Sequence, residues 1–325
     1  MRAFFGSLAL LAALSAVAAG APAAAQSSAA ATLAYDGDFP DPFVVVDGGR
    51  YYAYSTQIRS SGRWTNVPVM SSTDLESWGS IRDALPRLPG WARSGNTWAP
   101  SVVQRRGRYL LYYTTTERAS RRQCISVATA TKPAGPFRDS SSEPLVCQRP
   151  QGGSIDPYAF ADPNGGLYLL WKSDDNAVGK PTALWSRQLG ADGQGWASGS
   201  EAVRLLGERP SRWHVPIEGP AMVRAEDRYF LFYGGGRWSS ARSGIGYATC
   251  RSPLGPCADE TPRHAWLESG ATDADGPHGP TLFTDLGGDV RLGFSGWAGT
   301  TGYPEGVRAF WTGRLRFDDG EPAAL

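Results

Sequence analysis

Three carboxylates of this 325-residue chain recur at one place in a repeated pattern. Asp41 and Asp156 each stand directly before a proline, and Glu218 stands before Gly219-Pro220. After each comes an apolar run, a Gly- or Asp-containing turn and an aromatic strand-like segment. Carboxylates gathered from separate segments repel one another, which drives their pKa values apart, and separated pKa values are what paired acid and base catalysis needs. A repeat with no chemistry to do would carry small or apolar residues there, because burying clustered carboxylates without partners is costly. The dipeptide alone says little, and Asp162-Pro163 is read as an ordinary turn. Asp38, close to Asp41, is likewise read as a turn residue. Proline disfavours helical backbone in the residue before it, so Asp41 and Asp156 are expected to be extended.

The elements that must position these acids form a repeat. Five segments share one plan, beginning at Asp41, Trp98, Asp156, Glu218 and His278. Each has a hairpin signal, from Asp47-Gly48-Gly49 in the first to Leu286-Gly287-Gly288 in the last. The second strands start at Tyr51, Tyr109, Tyr168, Tyr229 and Val290, at steps of 58, 59, 61 and 61 residues by subtraction. Such spacing marks a repeat architecture, and each unit has room for four short strands. The expected fold is all-β: a five-bladed β-propeller of four-stranded antiparallel blades around a central channel, running from about Asp38 to Phe317. The innermost strand of each blade lines the channel, so the five leading residues should meet at one mouth. Helix is expected to be scarce, with Ser72-Thr73-Asp74-Leu75-Glu76 making at most one turn.

Bulk properties narrow the class. One basic residue, Arg2, precedes an apolar run from Leu8 to Ala19, and small residues end in Ala23-Ala24-Ala25. This is the layout of a secretory signal peptide over 1–25, cleaved near Ala25, leaving one catalytic domain over 26–325. The protein is expected outside the cell, as a monomer with no membrane partner. Net charge is +1 with no long basic run, which argues against nucleic acid as a partner. The 12 Trp, 13 Tyr, 40 Gly and 24 Pro suit tight turns and a flat-faced lining for sugars. The four cysteines of an exported chain favour disulfides, pairing neighbours as Cys124–Cys147 and Cys250–Cys257.

The strings F-P-D-P-F-V, W-A-P-S-V, S-I-D-P-Y-A-F and I-E-G-P-A-M, in this order over nearly the whole mature chain, resemble glycoside hydrolase family 43. The resemblance implies a five-bladed propeller that inverts configuration, with Asp41 as general base, Glu218 as general acid and Asp156 orienting the acid and raising its pKa. Inversion needs a water between base and sugar, hence carboxyl groups roughly 6.5–9.5 Å apart. By the same resemblance Trp98 walls the terminal sugar, core packing being its other reading, and Arg308 points into the sugar pocket or lies outward on an edge strand. His278 matches a fifth-blade histidine that holds a metal ion or water on the axis, although Gly276-Pro277-His278-Gly279-Pro280 departs from the commoner Gly-Pro-Gly-His. No cofactor is required for the chemistry, and a structural Ca²⁺ on the axis is the candidate metal.

Asp36-Gly37-Asp38-Phe39-Pro40-Asp41, Asn66-Val67-Pro68-Val69 and Leu169-Leu170-Trp171-Lys172-Ser173-Asp174 are most similar to the exo-acting α-L-arabinofuranosidase branch. That branch implies plant cell-wall arabinan or arabinoxylan as substrate. The β-xylosidases and endo-arabinanases of the family are the alternatives, and the extra β-sandwich that many of those xylosidases carry has no counterpart in this sequence. A retaining fructoside-cleaving propeller would have its acid in an Arg-Asp-Pro string, whereas Asp156 follows Ser154-Ile155. A non-catalytic sugar-binding propeller would be free to lose at least one of the three acids.

Overall fold

A computed structural model describes Met1 and residues 31–60, 62–209, 213–323 and 325. The signal peptide expected over 1–25 lies outside the described residues, Met1 apart. Among the described residues no helix is long and apolar enough to cross a membrane.

Five antiparallel sheets form a ring, and each is a blade. The first contains Phe43–Asp47, Arg50–Tyr54, Pro68–Ser72 and Arg82–Asp83. The second contains Ala92–Arg105, Arg108–Glu117 and Gln123–Ala130; its outer edge is reduced to isolated bridges at Ile125–Val146 and Thr129–Arg138. The third contains Ser154–Ala161, Leu167–Ser173, Ala183–Gln188 and Val203–Gly207. The fourth contains Ile217–Ala225, Arg228–Gly235, Gly244–Cys250 and Cys257–Asp259, with Leu267–Glu268 also paired to Gly244–Cys250. The fifth contains Asp275–Thr284, Val290–Ala298 and Val307–Arg314, and takes its outer strand, Thr32–Tyr35, from the start of the described chain. The repeat therefore begins before Asp38, and pairs such as Thr32–Thr312 and Leu33–Trp311 close the ring. Closure leaves only short blade edges exposed.

The hairpins follow their turn residues. Gly48-Gly49, Arg106-Gly107 and Glu226-Asp227 all have positive φ at both turn positions, as a right-twisted two-residue hairpin requires. The flanking residues pair as Asp47–Arg50, Arg105–Arg108 and Ala225–Arg228. One buried cluster runs through all the blades and includes Tyr54, Tyr113, Leu170, Phe232 and Phe294. The turn expected at 72–76 is not helical. Asp74 Oδ1 instead accepts from the backbone N–H groups of Glu76 and Ser77, satisfying them locally. Cys124–Cys147 and Cys250–Cys257 are both disulfides.

Candidate active site

The inner strands carry the site through a shared irregularity. Ile155 pairs with Lys172 and Tyr158 with Leu170, so one extra residue stands on the inner strand between them. The same offset separates Trp98–Thr114 from Ser101–Tyr112, and Glu218–Gly234 from Ala221–Phe232. A register shift also lies between His278 and Thr281. Each is a β-bulge, which bends the strand and re-aims its side chains. The bulge residue has positive φ in every blade: Asp41 (51°), Ala99 (43°), Asp156 (53°), Gly219 (57°) and Gly279 (59°). A proline follows each one, and having no N–H it leaves no donor unpaired in the broken ladder.

Two expectations are corrected by this. Asp41 and Asp156 are not extended: the bulge holds both in the left-handed region, at a cost of order ~1–3 kcal/mol each. The five leading residues are also not equivalent. Asp41 and Asp156 occupy the bulge, while Trp98, Glu218 and His278 stand one residue earlier, opposite Thr114, Gly234 and Ser295 on their second strands.

The bulges bring the three acids to one cavity of about 1070 Å³, lined also by Trp98, His278 and Arg308. Two residues beyond each aspartate, Phe43 and Tyr158 meet edge to face with centroids 5.6 Å apart. Both are buried, and together they pack the channel between the first and third blades.

Asp41 is ringed by donors. Arg308 Nη2 lies 2.8 Å from Oδ1, and the Thr56 hydroxyl donates to Oδ2 at 2.6 Å. Thr56 in turn accepts from the Ala99 N–H at 2.8 Å, tying the first blade to the second. Burial opposes the charge on Asp41, but the guanidinium and the hydroxyl outweigh it and hold the carboxyl below its ordinary range. A Cβ on Gly279 would come within 3.1 Å of Asp41 Oδ1, so glycine leaves that oxygen room.

Glu218 and Asp156 sit differently. Glu218 is 7% exposed; its Oε2 lies 3.0 Å from Lys172 Nζ and its Oε1 lies 3.4 Å from His278 Nε2. Among the described residues Asp156 Oδ2 accepts only the Gly219 N–H, at 3.0 Å. Burial and the neighbouring Glu218 push Asp156 up to about 8, against the pull of Lys172. Burial would raise Glu218 as well, but Lys172 and then His278 hold it low. The pair thus keeps one proton at neutral pH. The buried ammonium of Lys172 beside Glu218 is a counter-charge that the sequence reading did not include.

Arg308 also donates to Ser295 Oγ at 2.8 Å, and Ser295 donates to the His278 carbonyl at 3.1 Å. Through these residues the fifth blade joins the surroundings of Asp41 to those of Glu218. Asp38 is a brace: its Oδ1 accepts from the Tyr303 hydroxyl at 2.6 Å and from the Arg308 N–H at 3.3 Å. Ca²⁺ takes about six to eight oxygens, waters among them, and the His278 side chain itself offers only nitrogen. Nε2 faces a carboxylate already paired with lysine. Among the described residues the one cluster of three potential ligands is Glu117 with Cys124 and Cys147, whose sulfurs are bonded to each other.

Sequence reasoning did not single out Lys172, Thr56 or Ser295. Lys172 left a trace, as a charge inside the apolar run Leu169-Leu170-Trp171. The mouth was not legible either. It is built by the connections between second and third strands, which contribute Trp64, Asp174, Lys180, Arg237, Trp238 and Tyr303 to the cavity.

A closed five-bladed ring with three carboxylates from three blades at one mouth has the architecture of a sugar-cleaving propeller. The chain belongs to glycosyl hydrolases family 43, whose model matches residues 34–322. It is 26% identical over 276 residues to the β-D-galactofuranosidase xynD of Aspergillus niger, covering 79% of this chain and 74% of that protein. It is 27% identical to an extracellular endo-α-(1→5)-L-arabinanase of Thermotoga petrophila, covering 67% of this chain and 50% of that one. It is 25% identical to the extracellular exo-α-(1→5)-L-arabinofuranosidase ArbA of Cellvibrio japonicus, covering 70% and 68%. The chain thus spans about half the length of the Thermotoga relative. A thermostable family-43 glycoside hydrolase has the same fold, with a TM-score of 0.75 at 20% identity over 89% of this chain and 93% of that one.

Proposed function

We propose that this hydrolase is exported and releases single L-arabinofuranose units from arabinan or arabinoxylan with inversion. The observation that carries the reading is the unlike setting of the three acids: Asp41 is paired with Arg308, Glu218 with Lys172, and Asp156 accepts the Gly219 N–H beside them. In this reading Asp41 takes a proton from the attacking water, and Arg308 and Thr56 fix its two oxygens. Glu218 gives a proton to the departing oxygen. Asp156 is the reservoir from which Glu218 is loaded, and a leaving oxygen hydrogen-bonded to Glu218 favours the protonated acid. Transfer to a good acceptor in the transition state is worth about 10²–10⁴-fold.

The arabinose assignment draws support from the Cellvibrio exo-acting relative and from the sequence strings shared with that branch. Export draws support from the two disulfides and from the extracellular relatives. The test is hydrolysis of linear arabinan followed by proton NMR and product sizing. Free arabinose as the first product, with inverted anomeric configuration, is expected. Early oligomers would make the enzyme an endo-arabinanase, and cleavage of xylosides alone would make it a xylosidase. Retention would overturn Asp41 as the base.

A further inference from the structure

The connection between second and third strands in the first blade covers 55–67, and it is longer than its counterparts at 118–122, 174–182, 236–243 and 299–306. Its extra length folds into a hairpin, Ile58–Ser60 against Arg63–Thr65, whose sheet is separate from the blade. A lone two-stranded hairpin is marginal in water, so this one needs an anchor. Gln57 provides it. Its amide donates to the Gly95 carbonyl at 2.6 Å, and its side-chain oxygen accepts from the Thr97 N–H at 3.0 Å. Its backbone N–H adds a bond to the Thr97 carbonyl at 2.9 Å. The hairpin is thus pinned to the second blade one residue before Trp98.

The hairpin does no core work. Trp64 is 52% exposed, joins none of the three hydrophobic clusters, and donates no hydrogen bond among the described residues. Yet it lines the same cavity as the carboxylates, together with Ile58 and Arg59. The Arg59 guanidinium lies 5.9 Å from the Trp64 ring centroid, and Arg59 has no carboxylate partner among the described residues. The cavity exceeds the ~300–1,000 Å³ usual for a small-ligand site, and one pentose fills only a fraction of it. A flat apolar face beside unpaired guanidinium donors suits a sugar ring, with its C–H surface on the indole and its hydroxyls on the arginine.

We propose that Trp64 and Arg59 form an outer sugar-binding position for a neutral pentose unit of the chain beyond the bond that is cut. The inference rests on the arabinan reading only for the identity of the pentose. Neither residue touches the carboxylates, so the position acts on chain-length preference rather than on bond cleavage.

The test measures kcat/KM for the unsubstituted disaccharide, trisaccharide and tetrasaccharide of two series, (1→5)-linked L-arabinose and (1→4)-linked D-xylose. The wild-type enzyme should show a rise with length in the series it cleaves. Trp64→Ala should flatten that rise by about five- to ten-fold, the size of one lost ring contact, and Trp64→Tyr should restore most of it. Far-UV circular dichroism and the melting temperature of each variant show that the fold is intact. No rise in the wild type, or a rise that survives Trp64→Ala, would overturn the outer position. A rise on the xylose series that Trp64→Ala abolishes would uphold it while overturning the arabinose reading.

Discussion

Asp41, Asp156 and Glu218 reach one cavity from three blades, and what distinguishes them is the charge each one meets. Arg308 sits on Asp41, Lys172 on Glu218, and the Gly219 N–H on Asp156. If Glu218 is the acid, a leaving group that is already a stable anion needs its proton little. Glu218→Ala should therefore lose at least about 10²-fold more activity on arabinan than on a nitrophenyl glycoside, whereas Asp41→Ala should fail on both, by about 10²–10⁴-fold. Steady-state rates on the two substrates decide it, and equal losses for Glu218→Ala would remove it from the acid role. The pH profile follows from the same charges. Asp41 stays ionised below the usual carboxylate range, so the acid limb should lie low, and the shared proton leaves at about 8, which sets the alkaline limb. Asp156→Asn removes a negative neighbour of Glu218, so that proton leaves more easily and the alkaline limb moves to lower pH. Lys172→Met removes the ammonium that favours the ionised pair, so the limb moves to higher pH. A limb that moves the opposite way in either variant would show that Asp156 and Glu218 do not titrate as a pair. The three acids were legible in the sequence because each recurs one or two residues before the same repeated proline. Lys172 was not, because Glu218 is brought to it only by the next blade.

The bulge is the element that sets these side chains. It recurs because a residue with positive φ followed by proline breaks the ladder at the same step of every blade. The repeat and its spacing could be read from hairpin turns and aromatic strands. The one-residue offset between Asp156 and Glu218 could not, since the Pro-based expectation of an extended aspartate ignored the bulge. Ala99 holds the equivalent place in the second blade with φ 43° and carries no carboxylate. Ala99→Gly relieves its left-handed strain and should stabilise the protein by up to about 1 kcal/mol, the gain being reduced by the extra freedom glycine has when unfolded. Urea unfolding measures this, and a loss of stability would mean that the Ala99 methyl is needed where the first two blades meet.

At the scale of the whole molecule, the two disulfides fasten unequal lengths of chain. Cys124 and Cys147 are 23 residues apart and Cys250 and Cys257 are 7 apart, the latter already facing each other in the strand ladder. Chain-entropy arguments give roughly 3 kcal/mol for the longer loop and about 1 kcal/mol less for the shorter. Replacing Cys124 and Cys147 by serine should therefore lower the unfolding free energy more than replacing Cys250 and Cys257, and the reverse order in urea titrations would contradict it.

The outer strand of the last blade, Thr32–Tyr35, belongs to the beginning of the chain. During synthesis that strand emerges well before its partner, Val307–Arg314. The piece that shuts the ring must wait, unpaired, while the intervening blade strands are made. Pairing across such a sequence distance is slow to form. Closure therefore depends on Val307–Arg314: a chain stopped short of Val307 lacks both the partner of Thr32–Tyr35 and Arg308.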